Sequence, residues 1–384
     1  MRRAARLLSV SVLGLGLGLG LGLLACGPDP QGDPLRLPPG FPRPSIPADN
    51  PLTAAKAELG RFLFYDKRLS GNQTQSCASC HEQARAFTDG RARGLGSTGQ
   101  LHPRGAMSLA NVAYFEALTW ANPLLLSLED QALLPLFGET PVELGLAGRE
   151  EELLQRLRED PQYPPRFAAA FPEDPSPIRL TNLTRALASF GRTLISGRSP
   201  YDRYVYDKDA SALSASARRG MELFFGEKLE CFHCHGGYAF MDSTFDEKSS
   251  FREANFHNTG LYNLDTRGAY PEGNQGLFEL SGKERDRGRF RAPSLRNIAV
   301  TAPYMHDGSI ATLEEVLLHY ARGGRKIDSG PSAGDGSQNP NKSLFVRPFE
   351  LSEAEKADVI EFLRALTDEA FLKDPRLADP FSGP

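Results

Sequence analysis

Two five-residue motifs, Cys77-Ala78-Ser79-Cys80-His81 and Cys231-Phe232-His233-Cys234-His235, use four of the chain's five cysteines and constrain its fold more than any other feature. Two thiols separated by two residues and followed at once by an imidazole suit a covalently attached haem. Each Cys forms a thioether to a vinyl group, and the His ligates the iron from one face. Cys77, Cys80, His81, Cys231, Cys234 and His235 are therefore expected to hold two c-type haems, with His81 and His235 on the irons. Zinc is the competing metal, since paired cysteines also suit tetrahedral coordination. A thioredoxin-like dithiol needs a βαβ context, which neither pair has.

Arg2, Arg3 and Arg6 precede an apolar run from Leu7 to Leu24, the pattern of an export leader. The run closes on Leu23-Leu24-Ala25-Cys26, which resembles a bacterial lipobox, whose Cys is acylated and becomes the new N-terminus. An ordinary secretory leader with a spare thiol is the alternative. Residues 1–26 are thus read as a lipoprotein signal peptide. Residues 27–51, rich in Pro, are read as a tether reaching at most about 75 Å at ~3.1 Å per residue. The folded body is expected in the periplasm, attached to a bacterial membrane, the outer one, through its lipid only. Export adds to the case for haem.

The chain beyond the leader is long enough for two domains of ordinary size. The net charge of −4, with both signs interspersed, carries no basic stripe for nucleic acid. Helical periodicity recurs at 149–160, 181–196 and 215–229, and Thr312-x-x-Glu315 and Ser352-x-x-Glu355 read as capping boxes opening two more helices. Few alternating strands are visible. The expected fold is all-α: two cytochrome c-like domains with one haem each, over 52–197 and 198–384, parted at the Ser196–Pro200 turn cluster. The C-terminal helix is free to pack back on the first domain, and 328–343 is expected to be a mobile Gly/Ser/Asn-rich loop.

The order of these motifs, continued by Arg291-Ala292-Pro293-Ser294-Leu295-Arg296-Asn297 and Thr301-Ala302-Pro303-Tyr304-Met305-His306-Asp307-Gly308-Ser309, resembles the bacterial di-haem cytochrome c peroxidase and MauG superfamily over essentially the whole mature chain. Leu37–Pro42, Ser108–Tyr114, Leu118–Pro123 and Phe256–Tyr262 look most like its MbnH branch of exported di-haem enzymes. The resemblance implies a further set of roles. Tyr320 falls where the peroxidases place a Met as second ligand of the second haem, and MauG-like proteins also have Tyr there; Met305 is the other candidate. A phenolate stabilises higher oxidation states, whereas a thioether raises the potential. His319, beside it, is read as a surface or propionate contact.

At the first haem the resemblance makes Glu143 the acid/base, with Gln131 and Pro135 orienting and shielding the bound oxidant. Read without the family, Glu143 is a surface glutamate. Gln100 falls where these peroxidases often carry a blocking His, and His102 is two residues away. Trp120, the only tryptophan, falls where the superfamily puts its inter-haem indole; core packing is the plainer reading. A calcium ion is implied at the carbonyls of Thr301 and Pro303, although its third partner, an Asn in the family, is Gly105 here.

The implied activity is a periplasmic peroxidase-type oxidoreductase. It reacts with hydrogen peroxide, shares high-valent iron between two haems and oxidises an exported partner protein, at Trp in the MbnH-like case. The alternatives are a detoxifying peroxidase fed by a small cytochrome or cupredoxin, and a di-haem electron carrier without catalysis.

Overall fold

The computed structural model describes residues 33–382. The leader, Cys26 and the start of the 27–51 stretch lie outside the described residues. The described helices are α1 (Ala54–Tyr65), α2 (Leu128–Gln131), α3 (Leu133–Phe137), α4 (Glu150–Glu159), α5 (Tyr163–Ala170), α6 (Leu180–Arg192), α7 (Pro200–Val205), α8 (Ala215–Phe225), α9 (Phe278–Ser281), α10 (Leu313–Ala321), α11 (Glu353–Arg364) and α12 (Glu369–Leu372). Both expected capping boxes are formed, with Thr312 and Glu315 opening α10 and Ser352 and Glu355 opening α11.

The chain is not purely helical. Two short antiparallel ladders pair β1 (Phe256–His257) with β2 (Phe290–Arg291) and β3 (Lys326–Ile327) with β4 (Gly334–Asp335). Long irregular stretches join the helices, and they carry most of the positive-φ residues, which forbid helix. Their backbone groups are satisfied instead by tight turns and isolated bridges.

Two apolar cores form. The first gathers Leu59, Leu63, Phe64, Phe87, Leu157, Phe167, Leu183 and Phe190, and it also takes Phe371, Leu372 and Leu377 from the C-terminal end. The second gathers Phe224, Leu229, Phe240, Tyr262, Leu317, Val359, Phe362 and Leu366. Each is built on one helix crossing that a glycine makes possible. A Cβ on Gly60 of α1 would stand 1.9 Å from the Ala186 carbonyl oxygen of α6, and one on Gly220 of α8 would stand 1.9 Å from that of Asp358 in α11. Only glycine lets the backbones approach so closely.

Three expectations need correction. The later part of the Pro-rich stretch is docked, not free. Phe41 is buried with its ring 6.1 Å from Tyr114 and 5.2 Å from Tyr238, and the Tyr114 hydroxyl donates to the Pro42 carbonyl at 2.8 Å. Prolines read as a spacer here precede an aromatic anchor. The 328–343 loop is tied down: Ser343 N–H donates to Asn258 O and the Asn339 amide to Tyr262 O.

Ser196–Ser199, in the turn cluster read as the boundary between the halves, is a buried polar junction. Asn111 and Asn297 both donate to Ser196, the former to its carbonyl and the latter to its hydroxyl, each at 2.9 Å. The Asp368 carboxylate collects the Gly197 and Arg198 amides, also at 2.9 Å each. Hydrogen-bonding these groups removes the penalty for burying them.

Candidate functional site

Each motif turns once in a 3-10 helix, Cys77–Ser79 and Cys231–His233, with the histidine amides donating back to Cys77 O at 3.0 Å and Cys231 O at 2.9 Å. His81 Nδ1 lies 2.7 Å from Phe87 O, and His235 Nδ1 lies 3.2 Å from Phe240 O. An imidazole that donates through Nδ1 presents its Nε2 lone pair to a metal. Burial lowers both histidine pKa values, favouring the neutral form that ligates iron.

The four motif thiols form no disulfide, and burial pushes Cys77 and Cys231 up to about 12 and Cys80 to about 11. Two free thiols and one oriented imidazole at each turn fit a c-type haem. Among the described residues, the group of three zinc-type side chains within 4.8 Å of one another is Cys234, Asp242 and His257, which takes one motif sulfur only. A four-ligand zinc site is not built.

The two sites are built alike. Phe87 and Phe240, whose carbonyls orient the histidines, have φ of 61° and 51°. Ser108 Oγ donates to Ala86 O at 2.7 Å, and Ser294 Oγ donates to Ala239 O at 2.6 Å. Asn111 and Asn297, three residues on, have φ of 64° and 61°. This doubling was missed in the sequence, where Ser108-Leu109-Ala110-Asn111 against Ser294-Leu295-Arg296-Asn297 would have exposed it.

Trp120 joins the halves. Its indole N–H donates to Gly105 O at 3.0 Å, and its carbonyl accepts the Arg291 N–H at 2.8 Å. His306, buried with Nε2 unpartnered, stacks on Phe290 at 3.7 Å and meets the indole edge at 6.5 Å. Arg291 is fully buried, its guanidinium over Phe115 and against Met107 and Met241 sulfurs. Desolvation lowers its pKa to about 9, with only Asp242 opposing. An unpaired buried cation and an unpartnered imidazole fit the acidic edge of a haem.

Tyr320, on α10, faces the second motif. Burial raises its phenol pKa, and the nearby Cys234 and Cys231 raise it further. Met305 is half-buried against the second core with φ of 70°. His319 is no surface residue: it is buried with both ring nitrogens unpartnered, and desolvation lowers it to about 4, aided by Arg325 and Lys342. The helix turns its side chain inward, which overturns the surface reading and leaves the propionate one open.

Glu143 faces the first motif closely enough that its charge raises both Cys77 and Cys80. It is half-buried, and desolvation alone raises its pKa. Pro135 is joined to it, since Leu144 N–H donates to Pro135 O at 2.8 Å. Gln131 ends α2, on the same run of chain. Gln100 is committed elsewhere: its Oε1 accepts the Val142 N–H at 3.0 Å.

At the calcium position, Gly105 gives its carbonyl to Trp120 and its N–H to His306 O, at 2.9 Å. Around Thr301 and Pro303 no group of three acidic, His or Cys ligands forms among the described residues. Two carbonyls alone are a poor donor set for a hard cation.

The di-haem cytochrome c peroxidase family model matches residues 54–210. Methylamine utilization protein MauG of Methylorubrum extorquens is 35% identical over 334 residues, covering 87% of this chain and 83% of that protein. Cytochrome-c peroxidase IdrP1 of Denitromonas iodatirespirans is 35% identical over 362 residues, covering 89% and 90%. The chain therefore belongs to the di-haem cytochrome c peroxidase and MauG family, oxidoreductases acting with peroxide. Within it, a solved structure described as a MauG-like protein associated with microbial copper homeostasis superposes with a TM-score of 0.87 at 51% identity, covering 90% of this chain and 98% of that one. No described helix is long and apolar enough to cross a membrane.

Proposed function

We propose that this is an exported, lipid-anchored enzyme of the MauG-like kind, which uses hydrogen peroxide to oxidise a partner protein, at Trp in the MbnH-like case. Cys26 would carry the lipid, and the body would divide at 197/198 into a peroxide-reacting half and a second haem half. Cys77, Cys80 and His81 would hold one covalent haem, and Cys231, Cys234, His235 and Tyr320 the other. Bound there, the haems supply the oxidising power of peroxide chemistry.

The chain's own residues do the rest. Glu143 takes the proton from the near oxygen of peroxide and returns it to the departing oxygen. Burial raises its pKa above the ordinary glutamate value, which strengthens it as the proton acceptor. Pro135 and Gln131 shape the oxidant's space, the former through the Leu144 amide. Trp120, whose indole donates to Gly105 O and whose backbone carbonyl accepts the Arg291 N–H, would pass charge between the halves. Calcium at Thr301 and Pro303 would need further oxygens from water.

The observation that supports this reading is that buried Tyr320, at the end of α10, lies near Cys231 and Cys234, where a thioether ligand would favour electron storage instead. The relative associated with copper homeostasis supports a partner protein of that setting. The second reading, a detoxifying peroxidase drawing on a small redox protein, is supported by the relative named cytochrome-c peroxidase, which matches the MauG relative in identity at 35%. Adding one equivalent of peroxide to the fully oxidised protein separates them. A direct, long-lived change in near-infrared and Mössbauer spectra supports partner oxidation; a reaction that starts only after one-electron reduction points to the detoxifying peroxidase.

A further inference from the structure

His102 stands at the rim of the first site. Its Nδ1 accepts the Arg104 amide N–H at 3.1 Å, so the proton of the neutral ring sits on Nε2. Nε2 is 3.7 Å from Glu143 Oε1, and closing by about 0.8 Å makes a hydrogen bond. Neither side chain is on a loose tip. His102 N–H donates to Gly94 O at 2.7 Å, and Arg93 Nε donates to His102 O at 2.8 Å. On the facing strip, Glu143 O accepts the Ser97 N–H at 2.7 Å, and Val142 is held by Gln100. The two segments are thus clamped together on both sides of the pair.

We propose that His102 is a positioning residue for Glu143: its Nε2–H donates to one carboxyl oxygen and leaves the other to exchange the proton of hydrogen peroxide. This rests on the reading of Glu143 as the acid/base. His102 itself neither gains nor loses a proton in the step. Burial lowers its pKa, and Arg104 and Arg93 lower it further; Glu143 is the carboxylate facing it. Both effects favour the neutral ring, which is the donor form. The donor stabilises the charged carboxylate, so removing it moves the Glu143 pKa further up.

The test is stopped-flow reaction of hydrogen peroxide with the oxidised holoprotein across the acidic and neutral range, together with the visible spectrum of the resting state. His102→Ala is expected to slow the reaction about ten- to a hundredfold at neutral pH and to move the acid limb of the profile upward, since a hydrogen bond to a charged group is lost. His102→Gln, which keeps an N–H donor, recovers most of both effects. In a Glu143→Gln background His102→Ala adds nothing. If Glu143→Gln is slow but His102→Ala changes neither rate nor acid limb, the positioning role is overturned while Glu143 stands. If Glu143→Gln reacts as fast as the parent, the acid/base reading and the proposal fall together. If His102→Ala instead converts a low-spin first haem to high-spin, His102 is an iron ligand and the proposal is overturned.

Discussion

Gly220→Ala should destabilise the protein, although alanine is the better helix former by about 1 kcal/mol. The new Cβ would stand 1.9 Å from Asp358 O and 2.9 Å from Phe362 Cβ. Ordinary contact needs about 3.5 Å, and a backbone carbonyl in the middle of α11 cannot rotate aside. The helices must part by more than an ångström, which costs about 1–3 kcal/mol and sometimes more, so after the propensity gain the net loss runs up to about 2 kcal/mol. Gly60→Ala, against Ala186 O at the same 1.9 Å, should lose a similar amount.

Gly191 supplies the control. It lies in α6, where an added Cβ would meet Leu128 and Val112 side chains at an ordinary 3.7 Å. Gly191→Ala should therefore stabilise by about 0.4–1 kcal/mol. Denaturant unfolding of the three holoproteins, followed by circular dichroism, measures the differences. If Gly220→Ala and Gly191→Ala shift the midpoint in the same direction, close helix approach is not what holds the second half together.

Tyr320→Met should raise the reduction potential of the second haem with both haems still attached, as spectroelectrochemistry would show; an unchanged potential removes Tyr320 from the iron. Glu143→Gln should slow peroxide reaction about 10²–10⁴-fold without altering the resting spectrum. Because burial raises the Glu143 pKa, the parent rate should climb with pH through a carboxylate ionisation above the ordinary glutamate range, and that limb should vanish in the variant. Asp202→Ala leaves Arg296, fully buried and 2.5 Å from the lost carboxylate, uncompensated; a loss of about 3–5 kcal/mol in unfolding free energy is expected, and a smaller one would mean water reaches the guanidinium.

The covalent motifs, the capped helices α10 and α11 and the amphipathic α4 and α6 were legible because each depends on neighbours in the chain. α6 ends at Arg192, earlier than the apolar period suggested, because Leu194 belongs to the core from a loop. What stayed hidden depends on distant partners. No local signal tells that His319 is buried with unpartnered nitrogens, or that Ser196 is shared by Asn111 and Asn297. Arg291 entered the sequence reading only as part of a family motif, yet its burial without a paired carboxylate is among the clearest marks of the site. The placing of Glu143 beside Cys77 and Cys80 needed the fold of the 133–146 segment.

The two ends of the described chain have traded places. Phe41, near its start, packs at a tilt against Tyr238 beside the second motif, with Arg296 5.0 Å above its ring. Phe371, near its end, is 5.7 Å from Phe87 in the first core. Each half is therefore latched by a strap belonging to the other, and neither can be excised as a working cassette. Hinge motion between them would tear both straps. Charge transfer weakens steeply with distance, so in the proposed reaction bracing of this kind would keep the path through Trp120 at one length.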